Sequence, residues 1–341
     1  GVRDGTYAYL KLKVQERPKL MKSVRISSFQ PAAILKNPHL QTIWAAKLRR
    51  PAQLNTYSEQ IELPDGDFLD LEWSPKNRKG PILLLHGLEG GIGSNYVQGI
   101  MKALDKEGYQ SVLLQFRGCS GKPNRLARSY HAGETGDLSY IATLLRERLK
   151  KNLTAIVGFS LGANVMLKWL GESNRDHISN TAIAVSPPFD LSASADFLST
   201  GFSQIYQHSL VAAMKKKYRG KFLGQPSSLS DKCLSKLTSF RDFDNLITAP
   251  LHGFKGVEEY YTQSSCRQYL KDNLTSTLIL HSKDDPFLPI SAIPEAPELG
   301  PKTTMELSEN GGHIGFISRG KNGNLAYWLE SRILSHLAIF N

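Results

Sequence analysis

Residues 153–170 read Leu-Thr-Ala-Ile-Val-Gly-Phe-Ser-Leu-Gly-Ala-Asn-Val-Met-Leu-Lys-Trp-Leu, and this stretch decides the fold. Leu153–Val157 is a short unbroken apolar run, the pattern of a strand buried on both faces. Ala163–Leu170 has the composition of a buried helix. Between them sits Gly158-Phe159-Ser160-Leu161-Gly162, a G-x-S-x-G sequence. Alone that pentapeptide is a weak signal. Between a strand and a helix it predicts a sharp turn that lifts the Ser160 hydroxyl off the end of a sheet. Such a turn strains the serine backbone, and glycines two before and two after leave room for it. The helix that starts there aims its N-terminus at the site, where it favours developing negative charge.

Working outward, the same alternation repeats. Further apolar runs fall at Ile82–Leu85, Ser111–Phe116, Ala182–Val185, Leu278–Leu280 and Thr303–Leu307. Helical periodicity marks Tyr96–Glu107, with Val97, Ile100, Met101 and Leu104 on one face, and Gly136–Lys150, with Leu138, Ile141, Leu144, Leu145 and Leu149. A last helix is expected over Asn324–Phe340. Strands and helices in alternation give a doubly wound, mostly parallel sheet. Ser58–Leu63 and Phe68–Trp73 alternate instead, around Pro64-Asp65-Gly66, and predict an antiparallel hairpin. From Pro187 to Asn273 the rhythm breaks into short helical pieces with Lys-, Ser- and Gly-rich joints. We read 187–273 as a helical cap inserted into a core made of residues 31–186 and 274–341. Residues 1–30 are an N-terminal extension given no functional weight, with Met21 a candidate start.

Composition narrows the classes. The 341 residues are 40% hydrophobic and 21% charged, with 28 Gly and 17 Pro in no period. That excludes a disordered or collagen-like chain. No apolar run approaches the roughly 18 residues of a membrane helix. The net charge of +11 reads first as a solvated basic surface. Weak contact with an anionic membrane or an acidic substrate is the second reading. No zinc-finger spacing, aromatic RNA motif or basic recognition helix points to nucleic acid. Cys119, Cys233 and Cys266 are too few for a disulfide framework, and the first residues, charged at Arg3, Asp4, Lys11 and Lys13, lack the apolar core of a secretory signal, so none is expected. A reducing, cytoplasmic location is therefore expected. No His/Cys/Asp cluster has metal-ligand spacing, so neither a metal nor a cofactor is expected. Gly91-Ile-Gly93 lacks a third glycine where Tyr96 stands, which removes the dinucleotide-loop reading.

A serine hydroxyl needs a base. Nine histidines are present. His313 stands out in Glu309-Asn-Gly-Gly-His-Ile-Gly-Phe316, where glycines let a loop carry an imidazole to a neighbouring strand end. His86 and His281 end strands; His39, His177, His208, His252 and His336 lack a comparable setting. The base needs an acid to fix its tautomer. Lys283-Asp284-Asp285-Pro286-Phe-Leu-Pro289 supplies two carboxylates, and Asp285 is preferred over Asp284 because it precedes the proline of the turn. An oxyanion needs backbone N–H donors; the amides of Leu161 and Leu88 are the candidates. The Tyr130–Thr135 segment reads as a structural loop or a substrate contact, and Cys119 as a small buried residue. The chain order Ser160, Asp285, His313 is unlike that of chymotrypsin or subtilisin and is the α/β-hydrolase order.

These residues carry a resemblance. The chain resembles the α/β-hydrolase superfamily, and within it the YheT-type branch of bacterial carboxylesterases and eukaryotic ABHD1- and ABHD3-like proteins. The matching pieces run from about residue 31 to 341: Asn37-Pro-His-Leu-Gln-Thr42, His86-Gly-Leu-Glu-Gly90, Phe116-Arg-Gly-Cys-Ser-Gly121, Tyr130-His-Ala-Gly-Glu-Thr135, the Ser160 pentapeptide with Leu170-Gly-Glu172, and Phe243-Asp-Asn-Leu-Ile-Thr-Ala-Pro250 with Tyr260-Tyr261. The resemblance implies a mostly parallel eight-stranded sheet flanked by helices and an esterase-type triad on Ser160, Asp285 and His313. It implies an acyl ester or lipid ester substrate: short-chain esters, phospholipids, monoacylglycerols, or acyl transfer to an alcohol. A non-catalytic lipid-binding protein is the reading from another class, and the complete triad argues against it.

Overall fold

The computed structural model describes residues 22–172, 178–226 and 228–340. Met21 and His177 lie outside the described residues. Among these, the main sheet has nine strands: β1 (Ser23–Ile26), β2 (Tyr57–Glu62), β3 (Phe68–Trp73), β4 (Lys79–Leu85), β5 (Tyr109–Gln115), β6 (Leu153–Phe159), β7 (Ser179–Val185), β8 (Thr277–Ser282) and β9 (Thr303–Ser308). Their order is β1-β9-β8-β7-β6-β4-β5-β3-β2. All neighbours are parallel except β2 with β3 and β3 with β5. The expected eight strands become nine because Ser23–Ile26 pairs with Thr304–Leu307. The sheet thus begins before residue 31. This edge strand has an exposed Ile26 and a charged Arg25, so it carries no burial pattern that a sequence reading can detect.

Eleven α-helices surround the sheet among the described residues: α1 (Pro38–Ile43), α2 (Asn95–Lys106), α3 (Thr135–Leu149), α4 (Leu161–Glu172), α5 (Leu191–Leu198), α6 (Gln204–Phe222), α7 (Asp231–Ser235), α8 (Phe240–Phe243), α9 (Ala249–Leu251), α10 (Val257–Ser264) and α11 (Trp328–Leu337). The expected helix over Asn324–Phe340 starts only at Trp328. Before it, β11 (Leu325–Tyr327) forms a small antiparallel hairpin with β10 (Ile317–Arg319). All the described chain between β7 and β8 that is regular is helical. No helix among the described residues is long and apolar enough to cross a membrane.

Apolar burial explains the layers. Alternate residues of the central strands feed two cores, one on each face of the sheet. Leu83, Leu85, Val112, Leu114 and Ile156 enter one; Ile82, Leu84, Leu113, Ala155 and Val157 enter the other. Strands loaded on both faces read as continuous apolar runs. α2 presents Val97, Ile100, Met101 and Leu104, all buried, to the second core. α4 is buried from Leu161 to Leu170. It lies between the sheet and the 3-10 segment Cys266–Asp272, and a Cβ on Gly171 would stand 2.1 Å from the Tyr269 carbonyl oxygen. Between β4 and β6 the chain direction across the sheet reverses, and a crevice opens at the carboxyl ends of such strands.

Candidate active site

Four strand ends meet at that crevice. Ser160 follows β6, the loop beginning His86-Gly87-Leu88 follows β4, Asp285 follows β8 and His313 follows β9. Ser160 has φ of +51°, a left-handed conformation that costs a non-glycine residue on the order of 1 kcal/mol. The flanking glycines make the turn possible. A Cβ on Gly158 would lie 2.7 Å from the Gly162 oxygen and the Ala163 Cα, and one on Gly162 would lie 2.5 Å from the His86 carbonyl oxygen. The Ser160 N–H is tied to the Val185 carbonyl at 2.9 Å.

The structure brings Ser160, His313 and Asp285 together. Ser160 Oγ lies 2.8 Å from His313 Nε2. His313 Nδ1 lies 2.9 Å and 3.1 Å from the two oxygens of Asp285. A carboxylate only accepts, so Nδ1 carries the proton and Nε2 is left to accept from the serine hydroxyl. Asp285 is 3% exposed and His313 8%. The Phe287 ring stacks flat on the imidazole, with centroids 3.9 Å apart and planes 1° apart. Phe287 N–H also donates to Asp285 Oδ1 at 2.8 Å. Asp284 does not reach the imidazole. Its carboxylate accepts from Gly312 N–H at 2.9 Å and from the Asn310 side chain, so it pins the loop that carries His313. Burial pushes its carboxyl upward in pKa.

A second clasp holds the same loop from the other end of the chain. Thr42 Oγ accepts from His313 N–H at 2.9 Å and donates to the Pro38 carbonyl at 2.8 Å. Gln41 accepts from Ile317 N–H at 2.7 Å and donates to the carbonyls of Leu35 and Ile317. Asn37 caps α1, accepting from the N–H groups of His39 and Leu40. The segment Asn37–Thr42 was legible as a family motif, but nothing in its local pattern reveals that it grips residues over 270 positions away. A Cβ on Gly312 would stand 2.5 Å from the Pro38 oxygen and one on Gly315 2.8 Å from the Gln41 Cβ, so both glycines let the loop approach this clasp.

The amides of Leu88 and Leu161 make no hydrogen bond to any described residue. Both residues line a cavity of about 90 Å³ together with Ser160. Most of its other walls are apolar, including Leu191, Leu198, Leu210, Met214 and Phe287, and Ser194, Asp244, Tyr260 and Tyr261 complete it. The loop holding Leu88 is braced by Tyr130, whose hydroxyl accepts from Glu89 N–H and donates to Glu89 Oε1, both at 2.8 Å. Glu89 itself has φ of +55°, and its carboxylate is paired with Lys217 of α6 at 2.9 Å. The bracing role of Tyr130 had no signal in the sequence beyond its place in the Tyr130–Thr135 segment. Elsewhere in that segment the Ala132 N–H donates to the Tyr260 hydroxyl, the Ala132 carbonyl accepts from the Asn164 side-chain amide, Glu134 pairs with Arg128, and His131 lines a second cavity.

A larger cavity of about 450 Å³ shares Leu88, Leu161, Met214, Asp244 and Tyr260 with the first. Asp244 is buried there, accepting from Thr248 and Tyr261 at 2.7 Å each, and burial pushes its carboxyl up to about 6.

The remaining histidines have other roles. His86 accepts from Phe116 N–H and is bonded to the Gly87 carbonyl; burial pulls its pKa down to about 4. His281 and His336 are buried and held near 4 in the same way. His39 bonds Tyr206, and His208 and His252 bond carbonyls one helical turn earlier. Cys119 accepts from Lys217, and burial raises its thiol to about 11, which leaves it a packed thiol rather than a nucleophile. No group of three or more His, Cys, Asp or Glu among the described residues is arranged to hold a metal ion.

A serine on a strand–turn–helix elbow, facing a histidine and an acid from later strands, defines a class of hydrolytic folds, and comparison with known proteins places the chain within it. The α/β hydrolase fold family model matches residues 80–319. The YheT protein of Escherichia coli (strain K12) is 38% identical over 323 residues, covering 92% of this chain and 94% of that one. A monoacylglycerol lipase of Saccharomyces cerevisiae is 30% identical, covering 80% of this chain and 62% of its own. The solved esterase Pf2001 of Pyrococcus furiosus superposes with a TM-score of 0.56 at 18% identity, covering 84% of this chain and 91% of that chain. The chain belongs to the α/β-hydrolase superfamily, in its YheT branch.

Proposed function

We propose that the protein is a serine esterase acting on carboxylic esters through an acyl-enzyme on Ser160. The observation that carries this is the hydrogen-bonded line from Ser160 through His313 to Asp285, ending on a cavity with two unpaired amides. His313 takes the serine proton as Oγ attacks the acyl carbon, and returns it to the leaving alcohol. Asp285 holds the tautomer and offsets the charge on the imidazolium. The amides of Leu88 and Leu161 receive the oxyanion; the loss of one such donor typically costs about 3–4 kcal/mol. Water then frees the acid. Residues 187–273 act as a cap: α5, α6 and α8 supply apolar walls that seat an acyl chain beside Ser160.

The test is covalent labelling with a fluorophosphonate together with hydrolysis of p-nitrophenyl butyrate. Labelling of Ser160 and its loss in Ser160→Ala are expected. Unchanged hydrolysis in that variant rejects the reading. The apolar walls around Ser160 also favour acyl transfer to an alcohol, because they limit water. Ester formed from added ethanol at the expense of free acid distinguishes transfer from hydrolysis.

A further inference from the structure

The turn that carries Asp285 is held from outside the sheet. Its own backbone bonds are long: Asp285 N–H to the Ser282 carbonyl and Leu288 N–H to the Asp285 carbonyl both measure 3.4 Å, a length at which such bonds are weak. The next two carbonyls are taken by side chains of the helical stretch between β7 and β8. Ser203 Oγ donates to the Pro286 carbonyl and Ser194 Oγ to the Phe287 carbonyl, both at 2.7 Å. Both serines are buried, where a carbonyl left without a donor is costly.

Tyr206, near the start of α6, completes this grip. Its ring packs on that of Phe287 with centroids 5.1 Å apart, and Phe287 is the ring that lies flat on the His313 imidazole. Its hydroxyl lies 3.0 Å from His39 Nδ1. His39 belongs to α1, the helix whose Thr42 accepts from His313 N–H. One side chain therefore joins the two anchors of the site, the acid turn and the helix that clasps the histidine loop. Burial pushes the Tyr206 phenol up to about 12 and pulls the His39 imidazole below its ordinary value. Both are uncharged at neutral pH, and the contact between them is a neutral hydrogen bond. Tyr206 lines neither the cavity beside Ser160 nor the larger one, so a substrate seated in either does not rest on it.

An imidazole that carries a proton from a serine to a leaving alcohol has to keep its plane while its charge changes. A flat aromatic neighbour limits its tilt, and the face of that ring attracts the cation when it forms. Both effects depend on where Phe287 stands. We propose that Tyr206 is a positioning residue of the reaction, acting on His313 through Phe287 and on α1 through His39. The helical stretch over the site is then part of the frame of the triad as well as a wall for substrate. This rests on the esterase reading.

The test is steady-state hydrolysis of p-nitrophenyl butyrate, with kcat and KM resolved. Tyr206→Ala removes the ring and should lower kcat about 30-fold, towards the roughly 100-fold cost of a 1 Å misplacement, with KM within about threefold of wild type. Tyr206→Phe keeps the ring and loses the hydroxyl; His39→Phe keeps a ring against Phe202 and loses the nitrogen. Each should lower kcat about three- to fivefold, and the double variant no further, because the two partners of one bond do not act independently. Tyr206→Phe thereby restores most of what Tyr206→Ala loses. The control is Ser230→Ala, which removes the N-cap of α7 and should leave kcat unchanged. If Tyr206→Ala fails to fold, the two Phe variants and their combination decide. Four results overturn the proposal: Tyr206→Ala within threefold of the wild-type kcat, a loss confined to KM, no loss in either Phe variant or losses that multiply in their combination, or a Ser230→Ala enzyme as impaired as Tyr206→Ala. Ser160→Ala separates the two readings. A wild type that works through Ser160 and does not respond at Tyr206 removes only the positioning role. Hydrolysis that survives Ser160→Ala, or a wild type that cleaves no ester, removes the esterase reading as well.

Discussion

Gly162→Ala is the most informative single perturbation of the site. The added Cβ would meet the His86 carbonyl oxygen at 2.5 Å and the Leu85 carbonyl oxygen at 2.7 Å. Both are backbone atoms at the end of β4, so no side chain can swing away. Reaching ordinary van der Waals contact at 3.4 Å needs a separation of about 0.9 Å. That movement pushes the first turn of α4, which carries the Leu161 amide, away from the strand that leads to Leu88. The two amides must sit within about 3 Å of one oxygen, and a misplacement of about 1 Å costs on the order of 100-fold in rate. The expected result is a kcat for p-nitrophenyl butyrate about 100-fold lower, or about 2.7 kcal/mol of barrier. Stability should fall by about 1–3 kcal/mol, the usual cost of overpacking. Gly93→Ala is the control, because a Cβ there meets nothing within 4 Å. Steady-state kinetics and thermal melts of both variants decide. A Gly162→Ala enzyme within threefold of wild type, folded and active, refutes the argument that this close approach sets the amide geometry.

Asp285→Asn leaves the shape of the site but removes the carboxylate charge and offers His313 Nδ1 an amide donor, which favours the wrong tautomer, so kcat should fall about 10⁴-fold, while Asp284→Asn, which touches only the loop, should cost far less; equal losses in the two kinetic assays would contradict the assignment. Thr42→Val orphans the buried His313 N–H and should cost about 1–3 kcal/mol in urea unfolding, together with a lower kcat; Thr42→Ser should restore both, and failure of that rescue would argue against the hydroxyl. Asp244 has its folded pKa raised to about 6 from an ordinary 3.8, so the folded state binds more protons between those values and stability falls as pH rises through them. Asp244→Asn should therefore gain stability on wild type as pH goes from 4 to 7, checked by melts across that range. His86, His281 and His336 have folded pKa values pulled down to about 4 from 6.5. There the unfolded chain binds more protons, so stability should be full above pH 6.5 and drop steeply towards pH 4. A flat urea midpoint over that interval would contradict their neutral burial.

Much of this architecture is written locally. The central strands are legible because Leu83 and Leu84, or Ile156 and Val157, face opposite cores and so both must be apolar. The elbow is legible because Gly158 and Gly162 are demanded by contacts within a few residues or with the adjacent strand. Asp285 is distinguishable from Asp284 by its position before Pro286. What escaped is non-local. Ser23–Ile26 joins the sheet by backbone pairing to Thr304–Leu307 alone, and an exposed edge needs no apolar pattern. The Leu325–Tyr327 strand is a three-residue partner of Ile317–Arg319, too short for a period to emerge, so it merged into the helix that follows. Gln41, Thr42 and Tyr130 act on loops that the chain reaches only after folding, and their polarity alone gives no hint of where they point. The nineteen-residue helix Gln204–Phe222 is masked by its lysines, of which Lys216, Lys217 and Lys221 line a cavity.

The hydrogen bond from His313 to Thr42 spans 271 positions, and β1 lies beside β9. During synthesis the serine is made 153 residues before the imidazole, and the imidazole is seated by a helix made before either. A nascent polypeptide therefore carries no assembled reaction centre until residue 313 has emerged, and a chain cut before that residue would be chemically silent.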